Sequence, residues 1–354
     1  NEVTCGSIEH KMGIKASATC VINFDGAKGY LVGTENRGLN CMFTFMNTAR
    51  IGTGLEGLSA SEAAFQGALA YAKDRLQFRA MDGVKNPDGP ADAIINHPDV
   101  RRMLLTQKAF AEGNRALAIY AMQLVDVTHD SKDENAKQLA ESKLAFLTPI
   151  LKAFLTETAQ ETTSYGMQVF GGHGFIKEWG MEQLARDTRI CTMYEGTTGI
   201  QAIDLLARKV VGSNGKLLSL FTQDVKDYCK SIRDKSQFNA WSNCIDKHLD
   251  EWHQITEDIM KRAANNPAEL GAASVDYLMY SGYIVMGYFW LRMAVIAQQK
   301  LDDGTSDQEF YKAKLHTAKF YFDRLLTRTR SLVSAMESGA ENLMDMEEEQ
   351  FNIV

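Results

Sequence analysis

Apolar positions recur near the 3.6-residue helical period through most of the chain. Phe45, Ile51, Leu55, Leu58, Ala63, Phe65, Leu69, Ala72 and Leu76 predict a helix within 41–80. A second periodic stretch ends near Val127, and a third covers 134–146. Thr148-Pro149 is expected either to break that helix or to start a fresh one, because proline removes a backbone donor. Ile150, Leu151, Phe154, Leu155, Ala159, Thr162 and Met167 then carry an apolar stripe toward Gly171. Four further helical stretches follow near 216–233, 238–264, 268–300 and 307–338. The first 40 residues read differently: β-branched and aromatic runs at 20–24 and 29–33, separated by turn signals, predict short strands. The expected fold is mainly α, an antiparallel four-helix bundle preceded by remnant strands and followed by a second helical bundle.

Polar and glycine-rich breaks divide the chain. A loop occupies 80–97, and Gly212-Ser213-Asn214-Gly215 marks a boundary. The expected units are 1–40, 41–211 and 212–354. Gly52-Thr53-Gly54-Leu55-Glu56-Gly57 spells GxGxxG, but no strand precedes it within a βαβ unit. Its glycines, with Ala60 and Ala64, are expected to let another helix approach closely. The apolar run 277–297 is long enough to span a membrane, yet Arg292 and its polar flanks predict a buried bundle or dimer helix.

Charge narrows the picture little. The net charge is −7, so a global basic footprint for nucleic acid or an anionic membrane is not expected. Six scattered cysteines without a CxxC pair read as reduced thiols of a cytoplasmic protein. Asn1-Glu2-Val3-Thr4 carries no signal-peptide pattern, and no metal-ligand motif is present, so no metal is expected.

Two glycine-rich loops carry the candidate chemistry. One is Gly171-Gly172-His173-Gly174-Phe175; the other is Tyr194-Glu195-Gly196-Thr197-Thr198-Gly199-Ile200-Gln201. Glu195 stands on a loop at the mouth of a helix, which suits a general base. It equally suits a first-turn acid favoured by the helix dipole, with Thr197 or Thr198 as cap.

The stretch Gln168-Val169-Phe170-Gly171-Gly172-His173-Gly174-Phe175, with Arg186-Asp187 and Tyr194-Glu195-Gly196-Thr197, resembles the flavin-dependent acyl-CoA dehydrogenase family. The variant Glu-Gly-Thr-Thr-Gly-Ile-Gln and the long carboxyl-terminal extension are similar to the subgroup that includes methylmercaptopropionyl-CoA dehydrogenases. The resemblance implies FAD as cofactor, an acyl-CoA substrate, a homodimer or homotetramer, and an electron-transfer flavoprotein as acceptor. It implies Glu195 as the base that removes the substrate α-proton, with Arg50, Tyr194 and Gly196 at the substrate. It implies dinucleotide contacts from Arg75, Gln77, Phe78, Gln168, Gly171 and Gly172, and a flavin contact from Thr197. Residues 1–40 resemble the last strands of the family's middle β-domain, which makes the chain look amino-terminally truncated and possibly inactive alone. The family's usual glycine after the Phe78 position is Arg79 here, and Gly199 stands where many relatives carry glutamine.

Two other readings compete. Some relatives bind DNA through a basic carboxyl-terminal surface, and Lys226, Lys230, Arg233 and Lys235, then Arg324, Arg328 and Arg330, form local basic clusters. Interleaved Asp224, Asp227 and Asp234 weaken that reading. In the other, the extension is only an oligomerisation scaffold.

Overall fold

The computed structural model describes residues 1–352, apart from the side chains of Thr44 and Asn47. Strands β1 (Thr4–Ile8) and β2 (Cys20–Asn23) pair antiparallel, with a bulge between Cys5 and Ser7. The strand expected at 29–33 does not form. Tyr30 and Val32 are fully exposed, and with no described strand beside them their β propensity has nothing to pair with.

Three long helices make the first bundle: α1 (Gly38–Asp74), α2 (Pro98–Asp130) and α3 (Glu134–Phe170). α3 runs unbroken through Pro149, so neither the break nor the fresh start occurs. Thr148 to Thr156 are all buried, and the Thr148 hydroxyl donates to Leu144 O at 2.7 Å. Packing on every side outweighs the roughly 3 kcal/mol that an internal proline costs. Beyond short α4 (Met181–Thr188), α5 (Thr198–Ile203) continues directly into a wide π-turn over Asp204–Val210 and completes the bundle.

The glycine motif lies inside α1 and faces α3. A Cβ on Gly54 would strike the Leu151 side chain, and one on Gly57 would sit 3.0 Å from Leu155 O and 3.1 Å from Thr156 Cα. Further along, a Cβ on Gly166 would come 3.1 Å from the Ala64 Cβ, and Thr162 donates to Ser61 at 2.8 Å. Small residues thus let two backbones approach closely, with a buried hydroxyl pair between them. Gly52 is the exception: it faces open space.

The chain then builds α6 (Lys216–Ser231), α7 (Asn239–Ala263), α8 (Ala268–Asp302), α9 (Gln308–Phe320), α10 (Thr329–Glu337) and α11 (Glu341–Met344). α8 is buried nearly all round, which accounts for its apolar sequence. No described helix is long and apolar enough to cross a membrane. Arg292 is tolerated there because its guanidinium lies over Tyr228, Tyr288 and Phe289 at 5.5–5.9 Å. One apolar cluster extends from Ile51 to Met336, so the turn at 212–215 separates two sets of helices but not two cores. Trp290 donates to Ala109 O at 3.2 Å, and Arg328 closes both guanidinium arms on Glu161 at 2.7 Å each. That pairing takes Arg328 out of the basic cluster, and Lys226 is likewise paired with Asp250 at 2.6 Å.

The 80–97 loop is organised around one acid. Asp92 is fully buried and accepts from the N–H groups of Ala80, Lys85 and Asn86 at 2.7–2.9 Å, with Arg79 at 3.4 Å. The backbone N–H of Ala80, followed by those of Asn86 and Lys85, brings its carboxyl down to about 2. Arg79 reaches back to Asn86 O and Gly89 O at 2.8 and 2.6 Å, so it braces the turn that glycine would otherwise make.

Two expectations follow. Gly57→Leu should destabilise the chain by about 2–3 kcal/mol in urea unfolding through overpacking against α3, whereas Gly52→Ala should be neutral or stabilising by up to about 1 kcal/mol. Equal effects would contradict the packing assignment. The second expectation concerns acid. A carboxyl lowered on folding stabilises above its unfolded value near 4 and loses that contribution as pH falls through about 2. The melting-temperature gap between wild type and Asp92→Asn should therefore be full at pH 5 and shrink toward pH 2.

Candidate active site

The second glycine loop is shaped by its own residues and gripped by three helices. Thr197 caps α5, its hydroxyl accepting from Ile200 N–H at 3.2 Å. Glu195 and Gly196 both adopt left-handed backbone conformations, φ +61° and +88°. A glutamate there costs about 1–2 kcal/mol, so the surroundings must enforce it. Gly196 has a steric reason as well, because a Cβ would lie 2.6 Å from Gln201 Nε2. That buried Gln201 amide donates to Glu195 O at 3.1 Å and Gly196 O at 3.4 Å. Thr198 donates to Glu157 of α3 at 2.5 Å.

Around the loop lies a shell of charge. From α3, fully buried Lys152 donates to Gly196 O at 2.7 Å. Burial lowers its ammonium to about 8 despite the nearby Cys191, Glu157 and Glu195, with Arg50 adding to the lowering. From α1, Glu56 accepts from the Tyr194 hydroxyl and, at 3.4 Å, from Cys191. Burial first, and the Glu56 hydrogen bond next, push the Tyr194 phenol well above its ordinary range. Also from α1, buried Arg50 pairs with Asp204 of the π-turn at 3.1 Å. Glu195 itself is half-buried, and among the described residues its carboxylate has neither a hydrogen bond nor an ion pair. It is the free acid in a shell of paired ones.

Beside the loop opens a largely apolar cavity of about 500 Å³, walled by Met12, Ile14, Ile190, Met193 and Tyr194 and rimmed by Lys11, Arg186 and Arg189. Tyr194 lines it. Arg50, Glu195, Gly196 and Thr197 do not, Arg50 being turned inward onto Asp204.

The other expected residues gather elsewhere. Arg75, Gln77, Phe78, Gln168, Gly171 and Gly172 all line one cavity of about 560 Å³ at the far end of α1. Phe78 is 75% exposed with φ +57°, which presents its ring as a platform. Tyr71 stacks on Phe170 at 4.1 Å and meets His173 Nδ1 at 2.9 Å, fixing the first glycine loop. Gly171 and Gly172 have open space where a Cβ would stand.

Reading the sequence did not single out Lys152, Glu56, Asp204 or Gln201. For Lys152 a signal existed: it falls between Thr148 and Thr156 on the apolar stripe of α3, where a cation is out of place. Glu56 and Asp204 have partners 138 and 154 residues away and carry no local pattern, whereas Gln201 closes back on its own loop five and six residues earlier.

Known proteins are similar to this chain in sequence and in fold. Residues 36–210 match a family described as acyl-CoA dehydrogenase, C-terminal domain, and residues 221–347 match acetyl-CoA dehydrogenase C-terminal like. 3-Methylmercaptopropionyl-CoA dehydrogenase of Ruegeria pomeroyi is 39% identical over 97% of this chain and 58% of its own length. A broad-specificity linear acyl-CoA dehydrogenase of Mycobacterium tuberculosis is 32% identical over 99% of this chain and 60% of its own. The chain thus spans about three fifths of the length of these curated relatives. In fold it is similar to ACDH-11 of Caenorhabditis elegans, solved with C11-CoA, at TM-score 0.75 and 18% identity over 90% of this chain and 49% of that one. An acyl-CoA dehydrogenase of Bacillus anthracis complexed with FAD gives TM-score 0.68 and 19% identity over 98% and 57%. With two such domains matched along its length and relatives of this identity, the chain belongs to the acyl-CoA dehydrogenase family.

Proposed function

We propose that this chain carries the base and part of the cofactor cradle of an FAD-dependent acyl-CoA dehydrogenase. The observation that carries the reading is the unpaired Glu195 carboxylate, held at an enforced left-handed residue beside an apolar cavity. The α-proton of an acyl thioester is weakly acidic, so a base must be placed against it with little water about. Glu195 takes that proton. Every neighbouring acid is already committed: Glu56 to Tyr194, Glu157 to Thr198, Asp204 to Arg50. Met12, Ile14, Ile190 and Met193 offer the acyl chain an apolar wall, and Tyr194, fixed by Glu56, flanks the base. FAD, when bound, supplies the acceptor for the β-hydride, chemistry that no side chain provides.

The cradle fits a dinucleotide chemically. Arg75, Gln77 and Gln168 are exposed side chains with no partner among the described residues. A guanidinium and two amides suit phosphate and sugar oxygens, the Phe78 ring suits a purine face, and two bare glycines admit close backbone approach. The cradle lies nineteen residues along α1 from Glu56, about 28 Å at the helical rise. We therefore assign the Glu195 loop, with Thr197, to one cofactor and the Arg75 cradle to the dinucleotide of a second copy, the arrangement that the family resemblance implies, in a homodimer or homotetramer with an electron-transfer flavoprotein as the class of acceptor. The relatives range from 3-methylmercaptopropionyl-CoA and butyryl-CoA dehydrogenases to a broad-specificity linear acyl-CoA dehydrogenase, so the substrate proposed here is acyl-CoA as a class.

Two measurements test this reading. Glu195→Gln should lower dehydrogenation of acyl-CoA, followed by dye reduction, by roughly 10²–10⁴-fold while the melting temperature holds. Full turnover in that variant would remove Glu195 as base. Arg75→Ala with Gln168→Ala should weaken FAD retention at least tenfold, read from the visible flavin band after gel filtration. Unchanged retention would place the dinucleotide elsewhere.

A further inference from the structure

Lys152 is a fully buried cation whose protein hydrogen bond, among the described residues, is to the Gly196 carbonyl at 2.7 Å. Burying an ammonium is expensive, and an apolar residue of similar length would fill the same space in α3 at far lower cost. The atom it grips belongs to the loop's second left-handed residue, φ +88°, which directly follows Glu195 at +61°. The Gln201 amide reaches the same carbonyl and that of Glu195 from α5. The Gly196–Thr197 peptide, one residue beyond the base, is thus clamped from two elements, and one jaw is charged.

We propose that Lys152 is a positioning residue for the base: its buried ammonium, closed on Gly196 O, holds Glu195 in the left-handed conformation that presents a free carboxylate. The inference rests on Glu195 being the base. It extends that reading to a residue on a different helix. A charge-assisted bond to a carbonyl is roughly twice as strong as one from a neutral donor, so the clamp depends on Lys152 staying protonated. The groups facing its ammonium are Glu195 in the loop, Glu157 on its own helix, Cys191 in the preceding turn and Arg50 on α1. Asp204 balances Arg50 at 3.1 Å, which limits the repulsion that Lys152 feels. Burial brings its deprotonation to about 8. A group lowered on folding in this way holds its proton below that value and loses it as pH rises. The clamp is therefore firm at pH 7 and slackens toward pH 9.

The test compares the wild-type chain with Lys152→Met, which keeps length and loses the donor, and Lys152→Arg, which keeps a charged donor. Hydrogen exchange of the peptide covering 194–201, read by mass spectrometry, reports the loop without requiring turnover. Lys152→Met should lose at least tenfold in loop protection while α1 and α2 keep theirs, and Lys152→Arg should recover part of it. In the flavin-loaded protein, kcat should fall at least tenfold in Lys152→Met with KM changed less than threefold. Loop protection and kcat equal to wild type would overturn the proposal, as would protection lost uniformly across the bundle. If neither variant folds, the wild-type chain decides: after correction for intrinsic exchange, protection over 194–201 should drop between pH 7 and 9, and a flat profile would overturn it. Loop protection that responds to Lys152, combined with full turnover in Glu195→Gln, would sink the base assignment and leave the clamp standing.

Discussion

α1 and α3 meet nearly backbone to backbone between Gly54 and Gly166, and the site depends on that approach. With no side chains between Gly54 and Leu151, or Gly57 and Leu155, the two helices bring their polar residues to one place. α1 supplies Arg50 and Glu56, and α3 supplies Lys152 and Glu157. Had the glycines been alanine or larger, the helices would sit farther apart. The buried Ser61–Thr162 hydroxyl pair fixes the register of the two helices. A GxGxxG sequence thus serves here as a packing surface, not a phosphate cradle.

Among the described residues, the acids around the loop have partners, Glu195 excepted. Arg50 answers Asp204, Glu56 answers Tyr194 and Glu157 answers Thr198. Each pairing removes a competitor that would otherwise hydrogen-bond to Glu195 or share a proton with it. Glu195 keeps its carboxylate free, at the cost of a left-handed backbone that only outside support can maintain. Local strain and outside clamps belong to one arrangement: the loop cannot choose this conformation unaided, so the neighbouring helices choose it.

Much of this architecture is written locally and could be read from the chain. Periodicity places α1, α2 and α6 to α8 to within a few residues, and the residues expected at a dinucleotide do converge on one cavity, because Arg75 to Phe78 end α1 and Gln168 to Gly172 end α3. Proline propensity misleads at Pro149, where burial on all sides overrides a local rule, and β propensity misleads at 29–33, where no partner strand lies alongside. Arg50 is expected at the substrate but points inward, because Asp204, 154 positions away, draws it. The charged shell is the least legible part. Its members are joined by contacts of 41 to 154 residues in sequence, and no short-range pattern encodes them.

The carboxyl-terminal helices acquire a role from the same geometry. α8 packs against both α3 and α5, the two elements whose Lys152 and Gln201 close on the Gly196 carbonyl. Gly282 of α8 accommodates the Phe154 ring, two residues beyond Lys152. Arg328 anchors the extension to Glu161, further along α3. Lys152 stands at the middle of α3, and a shift of that segment by an ångström would open its 2.7 Å hydrogen bond. The extension therefore does more than enlarge the molecule. It packs behind the two side chains that close on the Gly196 carbonyl, as part of the one core shared by both sets of helices.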